Sequence, residues 1–208
     1  MSPVDPHRLD SLAKVRAILG EESPATRTKL NDALDETSLA FLAKSPFALL
    51  ATSDEDGRPD VSPKGDGPGF VVAADERTLL LPEQKGNRLI FSLQNILANP
   101  RVALIFLVPG TEETLRVHGT AELTADPALL ASLTQRGKPA LLAIRVRVER
   151  CFFHCAKAFR RSALWRTETW PDPLRISFGA LFAQKLGAGA DLAAKIDASI
   201  EENYRTEL

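Results

Sequence analysis

Three stretches of this chain combine residue types that bind anions. "GRPDVSPKGDGPGF", residues 57–70, carries Ser62, Pro63, Lys64 and Gly65 in a row. A strand built from them offers one ligand a hydroxyl, a cation and open backbone N–H groups. Gly65 lets another atom approach closely, and Pro63, which has no N–H to donate, suits an edge or a bulge. The other use of such a lysine is to blunt a sheet edge against aggregation. "KGNRLIFS" sets Lys85, Gly86, Asn87 and Arg88 at a helix start, with Ser92 one turn further on. Unpaired N–H groups and the positive dipole end attract a phosphate there, whereas the alternative is an ordinary N-cap by Asn87 among solvated basic neighbours. In "AKAFRRSALWR", Lys157, Arg160, Arg161 and Arg166 place four positive charges within ten residues, beside Trp165. Both a solvated surface face and a site for a planar anionic ligand have that composition.

Other chemistries lack their residues. There is no Gly-x-Ser-x-Gly elbow, "GDGPG" has neither the spacing nor the following helix of a dinucleotide fingerprint, and no loop ends in Gly-Lys-Ser/Thr. The two cysteines, Cys151 and Cys155, lie in "CFFHCAKAF". In an extended segment four residues span roughly 13 Å, beyond the roughly 7 Å Cα separation that a disulfide tolerates, so both read as free, buried thiols in a reducing compartment. His154 between them raises a metal site, but neither His7 nor His118 adds a paired ligand spacing, and no metal is expected.

The elements that must position these residues follow from patterning. Residues 7–20 and 26–44 have helical spacing, with Leu30, Leu34, Phe41 and Leu42 on one face of the second and Pro46 ending it. Period-two or short buried runs follow in "PFALLATS", "RPDVSPK", "GFVVAA" and "RTLLLP", separated by Asp-Gly and Gly-Pro punctuation. "GNRLIFSLQNILANP" is a helix stopped by Asn99-Pro100, and "RVALIFLVP", "ETLRVHGTAELT" and "ALLAIRVRVERCFFHC" are three further strands. The last puts Ile144, Val146 and Val148 on one face and Arg145, Arg147 and Glu149 on the other. "DPALLASLTQRG" reads as a short helix with Asp126 at its start and Gly137 at its end. Six or more short strands with two interrupting helices predict a closed or split antiparallel barrel, mainly β with helical additions, and the tail from about 174 is helical.

Composition sets the outer bounds. With 208 residues, 25% charged and 44% hydrophobic, the chain is of ordinary globular type and large enough for one well-buried core. A net charge of -1 leaves no electrostatic footprint for nucleic acid or an anionic membrane. The runs "FALLA" and "VALIFLV" fall far short of the roughly 20 residues of a membrane span, and "MSPVDPHRLD" has no signal-peptide core, so a cytoplasmic protein is expected.

Taken together, "LLATSDEDGRPDVSPKGDGPGF", "GNRLIFSLQNILANPRVALIFLVPG", "ETLRVHGTAEL" and "FFHCAKAFRRSALW" resemble the pyridoxamine 5'-phosphate oxidase-like superfamily of FMN-binding split barrels, in its bacterial branch of small flavoproteins. The resemblance covers about residues 40–166. It implies a Greek-key-like split-barrel domain over 46–166, a helical extension over 1–45 and a second over 167–208 packing on the same domain. It also implies a homodimer with FMN at the subunit interface and a small-molecule substrate. Ser62, Pro63, Lys64 and Gly65 match the strand beside the flavin ring, and Asn87, Arg88, Ser92 and Asn95 match the segment that holds the flavin phosphate. Lys157, Arg161 and Trp165 match a motif that completes the pocket, with Arg116 as a further member. The activity implied is that of an FMN-dependent oxidoreductase, with no catalytic acid or base assignable. Other readings of the same fold are a flavin sensor without turnover, a deazaflavin protein, and a haem-handling protein using His154 or His118. The named oxidase closes over its substrate with an arginine and a histidine near the C-terminus. No histidine follows His154 here, so turnover of pyridoxamine phosphate is not expected.

Overall fold

The computed structural model describes residue 5 and residues 7–207. Alternating side chains build its sheet. β1 (Phe47–Ser53) sends Ala48, Leu50 and Thr52 inward, and β5 (Arg101–Leu107) does the same with Val102, Leu104 and Phe106. β2 (Pro59–Gly65), β3 (Val72–Asp75), β4 (Thr78–Glu83), β6 (Thr114–Thr124) and β7 (Leu142–His154) complete one antiparallel sheet in the order β2-β1-β5-β6-β7-β4-β3. Its inward faces bury Leu50, Leu79, Leu104, Phe106, Val117 and Ile144 in one cluster. The sheet curls on itself. Lys64 of β2 pairs with Glu83 at the end of β4, although four strands lie between β2 and β4 in the hydrogen-bonded order. Arg136 Nε likewise lies 3.0 Å from Asp66 Oδ1, just past β2. With β2 and β3 as the two free ends of the ladder, this is the expected mainly β split barrel with helical additions.

Among the described residues, five helices belong to the same part of the chain as the barrel. α1 (Leu12–Leu19) and α2 (Pro24–Arg27) precede α3 (Glu36–Leu42), whose N-cap Asp35 accepts a hydrogen bond from the Ser38 amide. The single helix expected over 26–44 is therefore broken. Asn31 and Cys151 exchange both backbone hydrogen bonds, at 2.9 and 2.8 Å, and Leu34 N donates to Glu76 O at 2.8 Å. Pairing with the barrel overrides the local periodicity and drops Leu34 into the core. α4 (Phe91–Ala98) packs on β1, β2 and β6, while α5 (Pro127–Ser132) begins at Asp126 as expected and covers the outside of β4. The C-cap of α5 is Leu133 rather than Gly137, which sits instead at φ 76° in the following turn. Because Leu79 and Leu81 face the barrel core and Leu80 faces α5's cluster, β4 is apolar without alternation.

The chain divides into two compact units, one reaching residue 83 and resuming over 90–156, the other formed by 84–89 with the chain from 157 onward. The second holds α6 (Lys157–Ser162), a 3-10 turn at Thr167–Thr169, α7 (Phe178–Leu186) and α8 (Ala190–Glu207). Asp197 of α8 ties the start of α7, accepting from Ser177 Oγ at 2.6 Å and Gly179 N at 2.8 Å. The two helices approach so closely that a Cβ on Gly179 would lie 2.0 Å from Ala193 O. Among the described residues no helix is long and apolar enough to cross a membrane.

β6 and β7 form the longest ladder, and their register shifts at His118/Gly119. Glu149 and Arg150 are consecutively exposed there, while Val148 and Cys151 on either side are both buried. This is a β-bulge: the alternation expected over 144–149 holds, with Ile144, Val146 and Val148 buried, and breaks only beyond Glu149. The thiols also differ from expectation: Cys151 is buried and free, but free Cys155 is exposed.

Two outcomes follow. A Cβ on Gly119 would stand 1.9 Å from Arg147 O, a backbone atom that cannot rotate away. Gly119→Ala is expected to cost about 3 kcal/mol or more in urea unfolding. Gly67→Ala, into open space, is expected to stay within about 0.5 kcal/mol, and equal effects would contradict the bulge geometry. In the second unit, the Ser177 hydroxyl and then the Gly179 amide hold the Asp197 carboxyl below the usual carboxylate range. A depressed folded value stabilises fully above the ordinary carboxylate range and is lost as pH falls through the folded value. Hydrogen-exchange protection of the Gly179 amide should therefore fall on acidification below about pH 4. Asp197→Asn should remove that fall.

Candidate functional site

β2 lies at a free edge of the ladder, paired only with β1. The register sets Ser62 opposite Leu50 and Lys64 opposite Ala48, so Ser62 and Lys64 turn to the inner side while Pro63 and Gly65 turn outward. Ser62 Oγ is 3.4 Å from Asp60 Oδ2 on that inner side. Lys64 and Glu83 have side chains only 16% and 17% exposed, so the lysine of the opening motif is neither solvated nor free. It holds the barrel's two ends together and presents a charge-compensated donor beside them.

α4 starts later than the sequence suggests. Its N-cap is Ile90, which offers no side-chain hydrogen bond, and its first helical residues are Phe91 and the buried Ser92. Asn87 is not the cap. Its Oδ1 accepts from Leu89 N at 2.9 Å in a local turn, and Arg88 takes φ 63°, a left-handed conformation that no helix start adopts. The first-turn amides of α4 are consequently left without a side-chain acceptor. Further along α4, Asn95 Nδ2 donates to Thr52 Oγ1 at 3.0 Å, and beyond its end Asn99 Nδ2 donates to Ser53 Oγ at 2.9 Å. These bonds pin the helix to the end of β1.

Thr52 and Ser53 also line an open groove of about 460 Å³, with Ala51, Arg101, His118 and Arg150 among its other walls. Small residues make its floor: Ala51 of β1 pairs with Ala103 of β5, which pairs with His118 of β6, itself opposite Arg150 of β7. In the next row Arg116 stands opposite Phe152. Arg116 Nη2 lies 3.5 Å from His118 Nε2, and its Cζ lies 5.2 Å from the Phe152 ring centroid. The Arg116 Nε is buried without a hydrogen-bond partner among the described residues. Burial, then the charges of Arg116 and Arg150, hold the His118 imidazole below its usual value.

Of the residues singled out in sequence, Ser62, Pro63, Lys64, Gly65, Ser92, Asn95 and Arg116 belong to the barrel unit. Asn87, Arg88, Lys157, Arg161 and Trp165 belong to the other. There Lys85 pairs with Glu207, Lys157 opens α6, and Trp165 stacks on Phe159 with centroids 5.6 Å apart. Sequence reasoning missed Glu83, Thr52, Ser53 and Arg150. The hydroxyls at the end of β1 were the one available signal, since a strand that buries Thr52 must satisfy its hydroxyl. Among the described residues no group of three or more His, Cys, Asp or Glu side chains is placed to hold a metal ion.

Several solved structures are similar to this chain. HupZ from Group A Streptococcus is 21% identical over 58% of this chain and 93% of its own, with a TM-score of 0.48. A provisionally assigned pyridoxamine 5'-phosphate oxidase from Lactobacillus delbrueckii is 27% identical over 59% of this chain and 95% of its own, with a TM-score of 0.46. An FAD-binding protein from Mesorhizobium loti is 18% identical over 61% of this chain and 99% of its own, with a TM-score of 0.40. No curated protein matches the sequence significantly. The family model described as pyridoxamine 5'-phosphate oxidase matches residues 34–155, more than half of the chain and every strand of the barrel, and this protein therefore belongs to that family.

Proposed function

We propose that the protein binds FMN between two copies of itself and works as an oxidoreductase on a small molecule. The observation that carries this reading is the start of α4, which has no side-chain cap and packs beside β2. An uncapped first turn with a buried Ser92 is what a phosphate needs, because free amides and the dipole end meet its charge. The residues present fit the cofactor. Asn87 and Arg88 directly precede that turn in sequence, and Ser62 with the Lys64–Glu83 pair offers donors along β2. By family resemblance, Lys157, Arg161 and Trp165 complete the pocket, and Arg116 adds a cation. When bound, FMN supplies hydride chemistry, and the chain supplies binding, orientation and electrostatics.

The test begins with the visible absorption spectrum of the purified protein and mass identification of what heat releases. Released FMN is the expected result. A colourless protein that refuses added FMN, or a Soret band on haem addition without any flavin, would overturn the proposal. Arg88→Ala should then weaken FMN retention by about 1.5 to 3 kcal/mol, through loss of a charge-assisted phosphate contact. Unchanged retention would place the phosphate elsewhere.

A further inference from the structure

The outer face of β6 and β7 carries cations that no carboxylate among the described residues neutralises. Arg116 and Arg150 stand on neighbouring rows, opposite Phe152 and His118 respectively. Lys29 reaches the same place from the segment that Asn31 anchors to Cys151, and its Nζ lies 5.8 Å from the Phe152 centroid. Among the described residues no carboxylate pairs with Lys29, Arg116 or Arg150, although two other arginines on this sheet have one: Arg101 pairs with Glu149 at 2.6 Å and Arg145 with Glu122 at 2.7 Å. His118 and His154 flank the cluster. Burial first, and then the charges of Arg116 and Lys29, keep the His154 imidazole below its usual value, as Arg116 and Arg150 do for His118. The histidines therefore stay neutral at pH 7 and add hydrogen-bonding groups without adding to the repulsion.

Phe152 explains how two of these like charges are held side by side. A cation is attracted to the ring face, and this ring has Arg116 and Lys29 within about 6 Å and His118 against it at 5.9 Å between centroids. The ring gathers the cations, but it cancels none of their charge. We infer that Lys29 and Arg116, gathered over Phe152, and Arg150 on the neighbouring row form a receptor for the oxyanion of a small ligand, a carboxylate or a phosphate. The cluster opens into the groove through His118 and Arg150, whose floor of Ala51 and Ala103 leaves room for the rest of the molecule. This deepens the flavin proposal by giving the second ligand an anionic group, and it rests on that proposal only for the claim that this ligand meets a flavin.

Calorimetric titration of the full-length protein at low salt tests it, with benzoate and inorganic phosphate as separate probes. At least one probe should bind, and the preferred one identifies the oxyanion. Lys29→Gln and Arg150→Gln, both at exposed positions, should each weaken binding about tenfold, and Arg116→Gln by more. Arg145→Gln, whose partner is Glu122, should leave it unchanged. Absence of binding, or equal binding by all variants, would overturn the inference. Failure of both probes together with a change of oligomeric state in Arg116→Gln would assign the cations to carboxylates of a second copy instead. Loss of probe binding when FMN is added would assign them to the flavin phosphate. A protein that binds benzoate but neither retains nor accepts FMN would sink the flavin proposal and leave the receptor standing.

Discussion

The β6–β7 ladder is the longest pairing of the sheet, and its bulge at Gly119 sets which side chains enter the barrel and which stay outside. Below the bulge Val148 is an inward residue, and above it Cys151 is, so two consecutive side chains between them must face out. One of the two, Glu149, neutralises Arg101, and the other, Arg150, does not find a partner among the described residues. The absence of a Cβ at Gly119 allows Arg147 O to approach within what would otherwise be overlap. A one-residue change of phase thus determines both the packing of the core and the charge pattern of the groove.

Barrel closure is the second constraint, and it is electrostatic where the hydrogen-bonded ladder stops. Lys64 and Glu83 face each other across the ends of the sheet with little exposure, and Asp66 with Arg136 repeats the tie nearby. Taking such a pair out of water is offset only if each charge keeps its partner, so a ligand that draws on Lys64 must work with Glu83 in place. Helix α4 plugs into this arrangement through Ile96 in the core and through the Asn95–Thr52 bond at the rim. The same helix that packs the barrel therefore brings an uncapped first turn to its edge.

Much of this was legible in the sequence wherever burial acts on one face at a time. β1, β5 and β6 alternate, and their inward residues are those the pattern selects. The failures share a cause, which is tertiary pairing that no local pattern encodes. Leu30, Leu34 and Phe41 have helical spacing, yet Asn31 spends its backbone groups on Cys151 and ends any helix there. The bulge left no trace in composition, because Glu149 and Arg150 are unremarkable as a pair. Lys64 could be recognised as unusual, but Glu83, 19 residues away, could not be identified as its partner. Asn87 looks like an N-cap and is a turn residue, since Arg88 leaves the helical region before α4 begins.

On the proposed reading, the edge of the closed barrel anchors the phosphate of a flavin at the first turn of α4. A crystal structure of the protein grown with FMN tests it most directly. Phosphate density is expected within hydrogen-bond distance of the Phe91 and Ser92 amides, with the ring running along β2. A flavin bound with that turn empty, its phosphate held by other residues, would contradict it.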